Sequence, residues 1–222
     1  MLSVKILGVR VDRASLEEAV ELVGRWVRQD KKRYIATINP EFVMLAQKDE
    51  EFKKILNQAD LAICDGIGLA WAIKRSDLTR SDLLRVTGTD LMLALIKKGY
   101  KTVLTGGFNK VAEKAGKKLG VVGMSEPNVA EINKIKPDLL FVALGMGKQE
   151  KWIVHNLPKL KVKVAMGVGG ALDQVVKPWL RAPLRVQALG LEWLWRLMVQ
   201  PWRIKRQLAL VKFIKLFFLD TQ

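Results

Sequence analysis

Four polar or glycine-rich junctions hold the residues of this 222-residue chain that could do chemistry: TINPE at 37–41, CDGIG at 64–68, TGG at 105–107 and ALGMGKQE at 143–150. Asp65 raises the sharpest question, because it follows the small apolar run ADLAIC and precedes Gly66 and Gly68. A carboxylate there can take a proton in a cleft, and it can equally cap the helix that follows. The glycines permit close backbone approach or dihedrals closed to other residues. In the first junction the Thr37 hydroxyl and Asn39 amide precede Pro40, a residue type suited to the first turn of a helix. That pair fits a polar pocket or a simple cap and turn. Gly106 lies in a turn whose backbone amides could meet a phosphate or sugar, although the spacing is not that of a phosphate loop.

The fourth junction excludes two familiar enzymes. Gly145 and Gly147 lack the third glycine of a dinucleotide fingerprint, and Lys148 is followed by Gln149 where a Walker loop needs Ser or Thr. Lys148 as a point charge and Gln149 as donor and acceptor nevertheless suit an anionic, hydroxylated ligand, with a solvated helix start as the plainer alternative. MGVGG at 166–170 leads to Asp173 and could wall the same cleft. His155 has no neighbouring Ser or Cys motif and suits a surface or packing role. Cys64 ends an apolar strand and is expected to be buried rather than reactive.

These junctions make sense at the carboxyl ends of strands, where open α/β sheets bind ligands. Short apolar runs predict strands at 4–6, 34–38, 61–64, 102–105, 121–122, 139–143 and 162–166. Helical periodicity fills the intervals at 15–29, 40–45, 50–57, 68–74, 89–98, 110–119, 129–134 and 148–156, and Ser15 with Glu18 forms a capping box. The fold class is therefore α/β, a mostly parallel sheet flanked by helices. After Gly170 no strand is evident. Helices at 189–199 and 202–219, with Pro178, Pro183 and Pro201 between segments, predict a helical basic appendage over 177–222 joined to an α/β core over 1–176.

Thirty-eight Lys and Arg against 22 acids give a net charge of +16, which points to a polyanionic partner. One cysteine and one histidine leave almost no room for a cysteine-based zinc site, and the single cysteine fits a reducing compartment. The amino terminus has no basic stretch followed by an apolar run, so a cytoplasmic protein is expected.

Taken in order, TINPEFV, ADLAICDGIGLAWA, RVTGTDL, ALGMGKQEKWI, MGVGGALD and RAPLRVQALGLEWLWRLMVQPWR resemble the bacterial WecG/TagA/CpsF glycosyltransferase family over nearly the whole chain. The resemblance implies an inverting, metal-independent enzyme without a cofactor. It would move N-acetylmannosamine from UDP-N-acetylmannosamine to the 4-hydroxyl of lipid-diphosphate-linked N-acetylglucosamine, building the wall teichoic acid linkage unit. It places the general base on Asp65, pocket residues on Thr37, Asn39 and Arg85, and the family's glutamine on Gln149. Asp90, in the first turn of a helix, is expected to be structural. The chain departs from the family pattern in a shorter stretch between the GG turn and KPD at 136–138, in Gly147 where proline is usual, and in Leu172 where phenylalanine is common. A family scaffold that no longer turns over is the alternative those departures raise.

The C-terminal segment carries nine Lys or Arg against two acids from Lys177 onward, and four of the seven tryptophans. Basic residues interrupt WRIKRQLALVKFIKLFFL and argue against a membrane-spanning helix. An anionic membrane surface is the expected contact, placing the protein on the inner face of the cell membrane. The resemblance also makes this segment an active-site cover, with Arg181, Arg196, Arg203 and Arg206 as candidates for the lipid diphosphate. Packing against the sheet domain or a second copy is the other reading, and a homo-oligomer is possible. Nucleic-acid binding fits the charge, but no recognition module for it is evident.

Overall fold

A computed structural model of the chain describes residues 2–76 and 85–220, with the side chains of residues 76, 188, 203, 205–207 and 220 outside the description. Among the described residues the strands are β1 (Ser3–Ile6), β2 (Val9–Asp12), β3 (Arg33–Ile38), β4 (Leu61–Cys64), β5 (Thr102–Gly106), β6 (Val122–Met124), β7 (Leu139–Ala143) and β8 (Val164–Gly167). They form one sheet in the order β1-β2-β4-β3-β8-β7-β5-β6, parallel throughout except for the β1–β2 hairpin. The central strands read YIATI, LAIC, LLFVA and VAMG, and every one of these residues is buried, as strands covered on both faces require.

Strand β2 is absent from the sequence expectation. VRVD is short, and the turn before it is Leu7–Gly8, without the Asn-Gly or Asp-Gly signal of a hairpin. Both turn residues nonetheless adopt left-handed conformations, at φ 49° and 77°, which pairs Ile6 with Val9. Asp12 then extends the sheet sideways, its Oδ2 accepting the Ala62 N–H at 2.8 Å.

Among the described residues, twelve α-helices cover the sheet: α1 (Leu16–Val27), α2 (Pro40–Ala46), α3 (Glu50–Asn57), α4 (Ile67–Ser76), α5 (Gly88–Lys97), α6 (Val111–Leu119), α7 (Val129–Ile135), α8 (Lys148–Asn156), α9 (Ala171–Val176), α10 (Leu184–Ala188), α11 (Glu192–Val199) and α12 (Ile204–Asp220). One core layer holds apolar residues of α2, α3, α8 and α12, and the other those of α1, α5, α6 and α9. The capping box at Ser15 is formed in both directions. The short stretch before Lys136 closes as a β5-α6-β6-α7-β7 unit, so its brevity leaves the parallel alternation intact.

Helix α12 is bound into the core. Phe213 and Phe217 are buried in the same layer as Phe42 and Phe52 of α2 and α3, and Trp71 of α4 meets Phe217 and Phe218 edge-on. The helix expected from 189 starts only at Glu192. Gly190, at φ 72° against the side chain of Ile67, interrupts it.

After β4 the chain crosses beyond β3, β8 and β7 to reach β5. The carboxyl ends of β3, β4, β5, β7 and β8 therefore open on one rim, and a crevice at such a reversal of strand order is where doubly wound sheets hold ligands.

Candidate active site

Two connected chambers occupy that rim, and they share Asn39, Asp65, Thr89 and Arg196. The inner chamber is walled by the strand-end turns, including Gly107, Gly145, Gln149, Gly169, Gly170 and Asp173. The outer one lies under the C-terminal helices and is lined by Arg85, Gln174, Glu192, Trp193 and Leu210.

Asp65 stands where the two meet. Its own N–H donates to the Ile38 carbonyl at 2.7 Å, which continues the β3–β4 pairing one step past the strands. Its Oδ2 accepts the N–H of Gly88, the first residue of α5, at 3.3 Å. Burial pushes its carboxyl from 3.8 up to about 6, and the Glu192 carboxylate pushes the same way. The Gly88 N–H, Arg196 and Arg85 act against the rise. A half-buried carboxylate with that affinity is ionised at neutral pH and holds a proton more readily than an ordinary aspartate, the balance a general base needs.

The side chains beside it divide cap work from pocket work. Asn39 caps α2 through its Oδ1, which accepts the Phe42 N–H at 3.0 Å, and also lines both chambers. Thr37 is buried on β3 and reaches the inner chamber. Gly106 packs against the Ala143 carbonyl with no room for a Cβ, while its neighbour Gly107 faces the chamber. Gly145, at φ 86°, also lines the inner wall.

Gln149 is clamped there. Its Oε1 accepts the Gly169 N–H at 3.0 Å and its Nε2 donates to Glu150 Oε1 at 2.6 Å, tying the turn after β8 to the turn after β7. Glu150 is 1 % exposed and its Oε2 accepts the Gly147 N–H at 2.7 Å. Burial pushes Glu150 up to about 7, against the hydrogen bond from Gln149 and those from the Glu150 and Gly147 N–H groups.

Lys148, by contrast, is exposed and lines neither chamber. Arg181 pairs with Asp90, whose other oxygen accepts the Thr87 hydroxyl at 2.6 Å, so both belong to the start of α5. Arg196 lies in the cleft and its Nη2 approaches Gly170. The side chains of Arg203 and Arg206 lie outside the described ones. His155 sits exposed, 3.3 Å from Glu51, and the Cys64 thiol is buried and pushed up to about 12.

Three residues that line the cleft and one buried behind it carried no sequence signal. Thr89 donates to Gln174 at 2.8 Å, Gln174 to Glu192 at 3.4 Å, and Glu192 accepts from Arg85 at 3.2 Å. Glu150 is the fourth. A glutamate after a lysine-glutamine pair at a helix start reads as solvated, and only the fold shows it inside.

Among the described residues, no group of three or more His, Cys, Asp or Glu is placed to hold a metal ion, and no helix is long and apolar enough to cross a membrane. Cations and backbone amides are what the cleft offers an anion.

Residues 4–221 match the glycosyl transferase WecG/TagA/CpsF family. The chain is 31% identical over 224 residues, covering 91% of it and 87% of the relative, to the N-acetylglucosaminyldiphosphoundecaprenol N-acetyl-beta-D-mannosaminyltransferase of Staphylococcus aureus strain MRSA252. It is 30% identical, over the same length and shares, to the proteins of that name from strains NCTC 8325 / PS 47 and COL. With a match that runs from the first strand to the end of α12 and a cleft at the strand ends to go with it, the chain belongs to the WecG/TagA/CpsF glycosyltransferase family.

Proposed function

We propose that the chain is an inverting glycosyltransferase that moves N-acetylmannosamine from UDP-N-acetylmannosamine to undecaprenyl-diphosphate-linked N-acetylglucosamine, in wall teichoic acid linkage unit synthesis. The observation that carries this reading is the position of Asp65 at the junction of the two chambers, with its carboxyl pushed up to about 6. The names of the relatives supply the transferred sugar and the acceptor.

In this reading the inner chamber takes the nucleotide and the outer one the acceptor sugar. Asp65 accepts the proton of the acceptor hydroxyl as its oxygen forms a bond to the donor's anomeric carbon, and the bond from that carbon to the UDP oxygen breaks with its electron pair. Attack from the side opposite UDP inverts the anomeric centre. Negative charge builds on the departing diphosphate, and Arg196, which lines both chambers, and the N–H groups of the glycine turns are the groups at hand to stabilise it. Gln149, fixed at both ends of its amide, orients the donor. No cofactor takes part.

The exposed Trp179, Leu184 and Trp202 of the C-terminal segment, with its excess of Lys and Arg, support peripheral contact with an anionic membrane on its cytoplasmic face. In this reading the 177–222 segment acts as cover and membrane contact for the 1–176 core.

Incubation with UDP-N-acetylmannosamine and a soluble lipid-diphosphate N-acetylglucosamine analogue tests the reading. The expected product is a disaccharide lipid with inverted anomeric configuration, read by mass and NMR. A retained configuration, or no product with this donor while a different UDP-sugar is consumed, contradicts it.

A further inference from the structure

Glu192 lies 107 residues from Arg85 in the chain, yet the two meet across the outer chamber at 3.2 Å, each side chain only 18% exposed. The other carboxylate oxygen of Glu192 accepts from Gln174 of α9 at 3.4 Å, and Gln174 accepts in turn from Thr89 of α5 at 2.8 Å. One carboxylate from the C-terminal segment thus holds two side chains of the sheet domain, and all four line the same chamber as Asp65.

The helix that presents Glu192 is weakly anchored by burial. Among the residues of α11 none is fully buried, and Trp193 and Met198 are exposed. Its position over the cleft therefore depends on polar contacts to a larger degree than that of α12, which seats Phe213 and Phe217 in the core.

We propose that Glu192 is a positioning residue for the reaction, acting through Arg85 and Gln174 to fix α11 over the outer chamber and to set the charge that faces Asp65. This rests on the transfer chemistry proposed above for the reaction itself, but the placement of charge around Asp65 does not. The charged groups facing Asp65 are Arg85, which precedes α5, and Arg196 and Glu192, both on α11, with the buried Cys64 thiol next to it in the chain. Glu192 balances Arg85. Without it the Arg85 guanidinium faces Asp65 uncompensated, which holds the base in its ionised form and weakens its pull on a proton. An incoming diphosphate would compete with Glu192 for Arg85, so occupancy of the cleft and seating of α11 are linked.

The test uses the full chain with Glu192→Gln, Arg85→Gln and the double variant. Carboxyl-carbon NMR, with the Asp65 signal assigned from Asp65→Asn, gives the Asp65 titration midpoint without any turnover. The expected pattern is a lower midpoint in Glu192→Gln, a higher one in Arg85→Gln, and a return toward wild type in the double variant. In the transfer assay, kcat is expected to fall on the order of 10-fold to 10²-fold in Glu192→Gln. The double variant should be no slower than Arg85→Gln, the non-additivity of a residue acting through its partner. An unmoved midpoint in Glu192→Gln overturns the proposal whether or not the wild-type protein transfers sugar. Additive losses in the double variant, with the midpoint pattern intact, overturn the route through Arg85. If the wild-type protein transfers nothing while the midpoints move as expected, the transfer reading fails and the electrostatic role of Glu192 stands.

Discussion

Replacing Asp65 by Asn preserves the size of the side chain and its bond from the Gly88 N–H while removing the charge. The folded value of about 6 lies above the ordinary 3.8, so between those values the native state binds a proton that the unfolded chain has lost. The stability contributed by this group is full below the unfolded value and is lost as pH rises through about 6. Wild-type protein at pH above 7 thus carries a charge at a cost, and Asp65→Asn should be the more stable form there by about 1–2 kcal/mol after screening at its exposed side. Thermal unfolding from pH 4 to 8 checks this. A gap that opens as pH rises from about 4 to about 6 and then levels off is expected, and one constant across that window contradicts the raised value.

At the scale of elements, the rim is built by strand ends that admit no extra atoms. A Cβ at Gly167, the last residue of β8, would stand 2.5 Å from Gln149 Nε2 and 2.6 Å from Glu150 Oε1. Gly167→Ala should therefore displace the Gln149 amide and cost about 1–3 kcal/mol by overpacking, with a larger loss in donor binding than in unfolding cooperativity. Urea unfolding beside UDP titration separates the two. Phe213→Ala probes a different element. Phe213 is fully buried, and its truncation should cost about 3–5 kcal/mol, which urea unfolding would show as one cooperative transition at lower denaturant. A loss under 1 kcal/mol would mean that α12 does not belong to the core.

At the same scale, much of the fold is legible in the chain itself. Apolar runs such as LLFVA and the capping residues Ser15 and Asn39 mark their elements through local chemistry, and those elements stand where expected. Asp65 was readable as a candidate because glycines and a strand end flank it. Strand β2 was not, since a leucine in a left-handed turn leaves no residue signal. Glu192 and Gln174 were illegible for another reason. Their partners Arg85 and Thr89 come from distant parts of the chain, and only the stacking of α11 and α9 beside α5 brings them together. Lys148 shows the converse, a residue of suitable type whose helix start turns it to solvent.

For the whole molecule, the C-terminal segment borders the strand-end cleft through Trp193 and Leu210, which line the outer chamber, and exposes Trp179, Leu184 and Trp202. A lipid-linked acceptor would reach such a rim from a membrane surface. The protein should sediment with vesicles containing anionic phospholipid, less so as salt rises, and Trp179→Ala with Trp202→Ala should weaken the association. No binding across a low-to-moderate salt series would remove the membrane from the account.

The most direct measurement compares wild type with Asp65→Asn in transfer from UDP-N-acetylmannosamine to the lipid-diphosphate N-acetylglucosamine analogue under single-turnover conditions. The account predicts product from the wild type and a fall of roughly 10² to 10⁴ in the rate of the variant, with donor binding retained. Equal rates would contradict Asp65 as the base, and a lack of product from both would contradict the transfer itself.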